Sequence, residues 1–210
     1  KEDIILFGNG RYVGTLVYAS VTLDVDHLDF GPTSEVSDVA FHANQWWIAV
    51  NEGITSGTDR NQASLYLYDG SVLDSILFDE VGVGVQRIGW IMPHNGVVFV
   101  TWRDESGINY VGFVSGRSLK AIGYYTGNLS LFNQKTIEEG HIIFVSSGLI
   151  YAIGSATPDF PFALSQHADG GYATVGGLAS PFGTPMVAST DGGSNQRIAQ
   201  FSGFDTNSSW

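Results

Sequence analysis

Short apolar runs separated by polar corners dominate the chain, and the clearest series lies between residues 36 and 82. Four runs rich in Val, Ile, Tyr, Phe and Trp follow one another there: Val36–Phe41, Trp46–Val50, Leu65–Tyr68 and Val72–Phe78. Asn, Asp and Gly fill the gaps, with a tight Asp69-Gly70 corner before the last run. This composition is typical of antiparallel strands joined by turns. It predicts a four-stranded unit that needs neighbours to cover its faces and edges.

The first residues predict a hairpin. The apolar run Ile4–Phe7 is interrupted by Gly8-Asn9-Gly10 and resumes as Arg11–Tyr18. An Asn-Gly pair between two apolar runs indicates a two-residue turn, because both residues of that turn take positive φ. We therefore expect the turn at Asn9-Gly10.

The apolar runs recur along the chain with a period in the forties. Taking Leu6, Ala49, Phe99, Phe144 and Val187 as equivalent, the spacings are 43, 50, 45 and 43 residues. Neighbouring runs match as well, since Val36–Phe41 resembles Val85–Trp90 in its pattern. A fixed period of this length indicates a repeat architecture with four strands per repeat.

This repeat resembles β-propellers as a class, and is most similar to the divergent propellers of tailed-bacteriophage tail and neck proteins. The resemblance implies an all-β, propeller-like fold of about five four-stranded antiparallel blades. The expected blades span residues 1–30, 34–80, 83–127, 128–168 and 171–210 of a single propeller or propeller fragment. A β-sandwich is the alternative. Only Gln134–Glu139 has the composition of a helical turn.

Both chain ends fall inside the repeat, so the terminal blades are expected to be incomplete. An incomplete blade leaves backbone N–H and C=O groups unpaired along an edge, which is unfavourable unless another strand pairs with it. We therefore expect the chain to be part of a larger polypeptide or assembly. Residues 1–210 expressed alone are expected to aggregate.

Charge and composition limit the kinds of molecule that the chain is expected to bind. The net charge is −12, with only nine Lys and Arg residues in 210, which argues against nucleic acid because phosphate binding needs clustered cations. No apolar run approaches the eighteen residues of a membrane-spanning helix, so no membrane insertion is expected. The absence of cysteine excludes disulfides and thiolate metal sites. Other protein subunits are the expected partners, as the incomplete terminal blades and the resemblance to virion propellers imply, and a glycan is the alternative.

Few side chains are candidates for catalysis or for binding a metal ion. Among the expected inner strands, Asp38 and Glu138 are carboxylates that a propeller glycosidase would use as its catalytic pair. The cluster of Asp24, Asp26 and Asp29 is the candidate for a Ca²⁺ site, although it lacks the residue order of an EF-hand loop. The five histidines lack metal-ligand spacing, and no cofactor motif occurs, so no cofactor is expected.

The adjacent residues Trp46 and Trp47 are expected to point to opposite faces of one strand. One of them would pack between sheets, and an exposed one would offer a stacking surface to a sugar. We interpret the chain as a non-enzymatic structural or interaction module, a virion (bacteriophage tail or neck) component located in a virion or outside the cell. The alternatives are a secreted glycan-active enzyme and a glycan-binding lectin.

Overall fold

The computed structural model describes residues 4–53, 62–71, 73–76, 84–131, 134–138, 140–147, 149–154, 163–167, 174–179, 186–190 and 196–200. These residues contain eighteen β-strands and no α-helix, which confirms the all-β class. Within this part of the chain, no helix has the length and apolar character needed to cross a membrane. The chain divides into two compact units, Lys1–Ala121 and Ile122–Trp210.

The strands form five antiparallel sheets, and each sheet uses strands that are consecutive in the chain. The first sheet contains β1 (Ile4–Asn9), β2 (Tyr12–Val17) and β3 (Thr22–Asp29). The second contains β4 (Glu35–His42), β5 (Gln45–Glu52), β6 (Gln62–Tyr68) and β7 (Leu73–Ile76). The third contains β8 (Val85–His94), β9 (Val97–Asp104), β10 (Asn109–Ser115) and β11 (Ser118–Tyr125).

The remaining two sheets lie in the second unit. The fourth sheet contains β12 (Lys135–Glu138), β13 (His141–Ser146), β14 (Leu149–Gly154) and β15 (Ala163–His167). The fifth contains β16 (Thr174–Ala179), β17 (Met186–Thr190) and β18 (Gln196–Gln200). Lys135–Glu138, within the segment that has the composition of a helical turn, pairs with β13 as an antiparallel strand.

Two-residue turns join the first and second strands of the second and third sheets. Ala43 and Asn44 have φ values of 51° and 62°, and Asn95 and Gly96 have φ values of 48° and 79°. Positive φ at both positions is the property of a type I′ turn, whose twist matches that of the flanking strands. These turns therefore fix the register of both hairpins.

The first hairpin turns one residue later than expected. Asn9 pairs with Tyr12 at the end of the β1–β2 ladder, so the turn consists of Gly10 and Arg11. Gly10 alone has positive φ, at 60°, which is the pattern of a type II′ turn. The apolar pattern does not show that the ladder extends to Asn9, and for that reason the expected position was wrong by one residue.

The hairpins also correct the residue-level alignment of the repeat. Each of the strands β5, β9 and β13 begins directly after the turn of its hairpin, so equivalent residues lie the same number of positions after that turn. By this count the residues equivalent to Ala49 are Thr101 and Val145. The sequence alignment had instead equated Ala49 with Phe99 and Phe144. Those residues do lie on the second strand of their sheets, but their positions are wrong by two residues and by one. Matching short apolar runs cannot locate the turn that sets each strand's register.

The second sheet buries apolar side chains on both of its faces. Ile48 and Val50 on β5 join a cluster with Leu6 and Val13 of the first sheet. Ala49, between them on the same strand, joins a cluster formed largely by the third sheet. Because neighbouring side chains on a strand point to opposite faces, the second sheet is packed between the first and the third.

The two adjacent tryptophans follow this alternation. Trp46 packs against the cluster shared with the first sheet, and Trp47 packs against the cluster shared with the third. Both are half-buried. The prediction that they point to opposite faces is confirmed.

Candidate binding cleft

A cleft of 590 Å³ opens between the first and second sheets. Strands β1 and β2 contribute Ile4, Leu6, Thr15 and Val17, and β3 contributes His27. The second sheet contributes Trp46, Tyr68 and the turn that follows Tyr68, which contains Asp69, Gly70 and Ser71. The lining is thus mixed, because both sheets contribute apolar side chains as well as groups that form hydrogen bonds.

An irregularity in β3 brings His27 to this cleft. Thr15 pairs with Asp24, but Val13 pairs with Leu28, so three residues of β3 lie opposite the single residue Gly14. Extra residues of this kind bend a strand and redirect its side chains.

Gly14 allows the strands to approach one another at this position. A Cβ atom there would overlap the Phe7 ring and lie 2.9 Å from the carbonyl oxygen of Asp24. Glycine is therefore the residue that fits opposite the irregular segment, and the position of His27 depends on it.

Three polar side chains form a hydrogen-bonded chain at the cleft. The Nδ1 atom of His27 lies 3.3 Å from Oδ2 of Asp24, and Nε2 of His27 lies 2.9 Å from the hydroxyl of Tyr68. A carboxylate only accepts hydrogen bonds, so Asp24 favours the tautomer with the proton on Nδ1. Nε2 then accepts a hydrogen bond from the Tyr68 hydroxyl. The His27 ring also stands edge-on to the Tyr68 ring, with centroids 5.9 Å apart.

The turn after β6 is held by its own side chains. Asp69 Oδ1 accepts hydrogen bonds from the backbone N–H and the hydroxyl of Ser71, at 2.8 and 2.9 Å. Such Asx turns rigidify a hairpin corner. The Asp69 carboxylate therefore serves mainly to shape this side of the cleft.

The predicted calcium ligands do not converge. Asp29 forms an ion pair with Arg11 at 3.1 Å and accepts a hydrogen bond from the Gly31 N–H at 2.8 Å. Asp24 is directed toward His27, and the Asp26 backbone N–H lies 3.4 Å from Asp24 Oδ1. Among the described residues, no three acidic or histidine side chains lie close enough together to hold a metal ion.

Asp38, predicted as one carboxylate of a glycosidase pair, bonds the backbone of two strands. Its Oδ1 accepts a hydrogen bond from the Val39 N–H at 2.9 Å, and its Oδ2 accepts one from the Ile91 N–H of β8 at 2.8 Å. A register shift between Val36 and Asp38 adds one residue to β4 just before this position. Glu138 ends β12 in the second unit, and its side chain lies outside the described residues.

Asn51 makes a second connection between the second and third sheets, and nothing in the sequence suggested it. This side chain is fully buried. Its Oδ1 accepts a hydrogen bond from the Ile88 N–H at 2.7 Å, and its Nδ2 donates one to the Ile88 carbonyl at 3.1 Å. Together with Asp38, it attaches β8 to the second sheet through backbone groups.

Tyr66, also on β6, has a perturbed pKa. Burial raises the pKa of its hydroxyl to about 12, and the hydrogen bond to Glu52 at 2.6 Å and the Glu52 charge add to the increase. The ordinary tyrosine value is 10.0. Between pH 10 and pH 12 the Tyr66 hydroxyl is ionised in the unfolded chain but still protonated in the folded chain. Unfolding therefore becomes more favourable as the pH rises through this range.

Tyr66→Phe should therefore reduce the loss of stability between pH 10 and pH 12. We expect a difference of about 1 kcal/mol across that range, because solvent screens a hydroxyl that is only half-buried. Urea unfolding at several pH values measures this effect. Tyr18→Phe, at an exposed tyrosine, is the matched control. An identical pH dependence in Tyr66→Phe and wild type would contradict the assignment.

Comparison with protein-family models and with curated proteins finds no match to this sequence. The function is therefore inferred from the described side chains themselves.

Proposed function

We propose that the chain is a non-enzymatic interaction module with a propeller-type arrangement of sheets. Its role is to dock another protein subunit in a larger assembly, either a virion or an extracellular complex. The docking element is the outer edge of β3. The observation that supports this most directly is the exposure of large apolar side chains along β3, which has a neighbouring strand on one side only among the strands that the structure describes.

The packing within the first unit favours the propeller-type arrangement over a β-sandwich. A two-sheet sandwich leaves one face of each sheet in solvent, whereas here the second sheet is covered on both faces. The first strands of successive sheets also lie next to each other, since β1 packs near β4 and β4 packs against β8. Radially stacked sheets have these two properties.

Strand β3 is the terminal strand of the first sheet, whose order is β1-β2-β3. Leu23 and Val25 on this strand are 59% and 47% exposed, and Val21 in the preceding turn is 81% exposed. Unpaired edges with apolar side chains are the surfaces on which an extended segment of another chain adds as a further strand.

The turn before β3 contains a strained residue at the same surface. Val21 has a φ of 52°, which is unfavourable for a β-branched side chain by roughly 1–3 kcal/mol. Tyr18, in the same turn, is also strongly exposed. The turn therefore presents two large exposed side chains next to β3, the terminal strand of its sheet among the described strands.

The charge of β3 favours a basic partner. Asp24, Asp26 and Asp29 lie on this strand, and the whole chain has a net charge of −12. Aspartates on an edge disfavour pairing between two copies of the same chain, because like charges would face each other. An extended segment with Lys or Arg at alternate positions would complement Asp24 and Asp26, whereas Asp29 is already paired with Arg11.

The Asp38 geometry supports this proposal over the glycosidase alternative. Both Asp38 oxygens accept hydrogen bonds from backbone N–H groups. A glycosidase carboxylate must face the sugar, whereas these hydrogen bonds direct both Asp38 oxygens to the backbone of β4 and β8. The side chain therefore fits a structural role between β4 and β8.

A ten-residue peptide alternating Lys and Val should bind the chain with a Kd of roughly 10–100 µM at low salt. The corresponding Glu/Val peptide should bind at least tenfold more weakly, because it repels the β3 carboxylates. Fluorescence anisotropy of labelled peptides measures both affinities. Raising the ionic strength should weaken the Lys/Val complex.

The double variant Leu23→Lys, Val25→Lys places cations on the proposed edge and should abolish binding of the Lys/Val peptide. Leu73→Lys is the matched control, because Leu73 is an exposed apolar residue on β7, the terminal strand of the second sheet. Leu73→Lys should bind the Lys/Val peptide with the same affinity as wild type. Equal binding of both peptides, or loss of binding in Leu73→Lys alone, would overturn the proposal.

A further inference from the structure

We propose that the cleft between the first and second sheets binds a neutral pyranose sugar. This inference is separate from the docking of a protein subunit at β3, because, apart from Asp24, it depends on side chains that line the cleft and not on the outer edge of the strand. It assigns a ligand class to the hydrogen-bonded chain of Asp24, His27 and Tyr68 and to the indole of Trp46.

The dimensions of the cleft suit one or two sugar residues. Its 590 Å³ lies within the range of roughly 300–1,000 Å³ that small-molecule sites occupy. Leu6 and Thr15 at its base are buried. Ile4 and the half-buried Val17 continue the apolar wall toward solvent.

Trp46 supplies a surface for the apolar face of a sugar ring. Pyranoses present C–H groups on their faces and hydroxyls at their rims, and large aromatic side chains pack against such C–H groups. Phe41, across the strand pair, lies 4.8 Å from Trp46 between ring centroids and supports the indole in a fixed position. The indole is half-buried, so part of it remains accessible from the cleft.

The polar side of the cleft matches hydroxyl groups, which donate and accept hydrogen bonds at once. The Tyr68 oxygen donates to His27 and retains lone pairs that accept from a ligand hydroxyl. The Thr15 hydroxyl, which also lines the cleft, can donate as well as accept. Buried groups of this kind give specificity because a ligand without matching hydroxyls leaves them unpaired.

The charges around the cleft select against ionised sugars. Among the described residues that line it, none is Lys or Arg, whereas Asp69 lines it and Asp24 contacts His27. A carboxylated, sulfated or phosphorylated sugar would meet negative charge without a compensating cation. An amino sugar would have to desolvate its ammonium group to enter the cleft, and Oδ1 of Asp69 already accepts two hydrogen bonds from Ser71, so direct pairing with this oxygen would compete with them. Of the three kinds of sugar, the neutral one enters the cleft without burying a charge, and it is the ligand that we propose.

The test uses methyl glycosides of glucose, galactose, mannose and N-acetylglucosamine, each titrated to 50 mM, about fifty times the expected Kd. Ligand-observed saturation-transfer NMR detects binding and isothermal titration calorimetry measures it. N-acetylneuraminic acid is the anionic control and glucosamine the cationic control. At least one neutral glycoside should bind with a Kd of about 1 mM, and neither control should bind as well.

Two variants locate the site. Trp46→Ala should weaken binding roughly tenfold or more by removing the stacking surface. Tyr68→Phe keeps the ring and removes the hydroxyl, so it should weaken binding about tenfold while the fold is retained. Trp47→Phe, on the opposite face of β5, should bind like wild type.

The outcomes separate this inference from the docking proposal. Leu23→Lys lies at the outer edge and should leave glycoside binding unchanged while it weakens binding of the Lys/Val peptide. Absence of binding by all four neutral glycosides would overturn the inference. Tighter binding of either charged sugar, or unchanged binding in both Trp46→Ala and Tyr68→Phe, would overturn it as well.

Discussion

Asn51→Leu is expected to lower the free energy of unfolding by about 2–5 kcal/mol. Asn51 is fully buried, and its amide satisfies both the N–H and the carbonyl of Ile88 on β8. Leucine has a similar volume but no polar atoms, so both backbone groups of Ile88 would remain buried without partners. Each such group costs about 1–3 kcal/mol. Urea denaturation followed by circular dichroism measures the change.

Asn128→Leu is the matched control for this substitution, because it makes the same chemical change at an exposed asparagine. It should alter stability by no more than about 0.5 kcal/mol. A loss of stability in Asn51→Leu no larger than that in Asn128→Leu would contradict the role assigned to Asn51. Such a result would mean that another contact holds β8 against the second sheet.

Gly112→Ala is expected to destabilise the chain by about 3 kcal/mol or more. A Cβ atom at Gly112 would overlap the Lys120 carbonyl oxygen and lie 2.8 Å from the Lys120 carbonyl carbon, on the neighbouring strand β11. Backbone atoms cannot rotate away as a flexible side chain would. The methyl group would therefore force β10 and β11 apart and break ladder hydrogen bonds between them.

Gly116→Ala, in the turn between the same two strands, separates steric overlap from backbone strain. A Cβ atom there meets nothing within 4 Å, but the φ of 61° is unfavourable for alanine by roughly 1–2 kcal/mol. Thermal unfolding of both variants should place Gly112→Ala below Gly116→Ala in midpoint. The reverse order would show that β10 and β11 are less closely packed at Gly112 than the structure indicates.

The sequence predicts the strands well because most of them are short apolar runs buried consecutively on both faces, as in β9 and β13. The opposite orientations of Trp46 and Trp47 were predictable too, since neighbours on a strand face opposite sides whatever the strand packs against. The turns are harder to predict from the same pattern. The first hairpin turns at Gly10-Arg11 instead of Asn9-Gly10, because ladder pairing continues to Asn9 after the apolar run has ended.

The cleft could not be predicted from the sequence. His27 and Tyr68 are 41 residues apart, and their contact depends on an irregular segment of β3 opposite Gly14. Neither residue belongs to a motif, and β3 on its own has the pattern of an ordinary outer strand. A long-range contact made by an irregular strand has no periodic signal in the sequence.

Asp38 shows the same limit for a residue that the sequence did single out. Its place on the first strand of the second sheet followed from the pattern of apolar runs. The hydrogen bond that it accepts from the Ile91 N–H, 53 residues away, did not follow from that pattern. Whether a carboxylate accepts hydrogen bonds from backbone N–H groups or faces solvent depends on how two sheets are packed. The local sequence pattern does not contain that information.

The proposed docking edge is tested most directly by hydrogen–deuterium exchange of the whole chain with and without the Lys/Val peptide. A strand added at the outer edge would engage backbone N–H groups that otherwise exchange with solvent. We predict slower exchange confined to β3 (Thr22–Asp29) in the presence of the Lys/Val peptide, and no such protection by the Glu/Val peptide. Protection at β7 or β11 in place of β3, or no protection by a bound peptide, would contradict it.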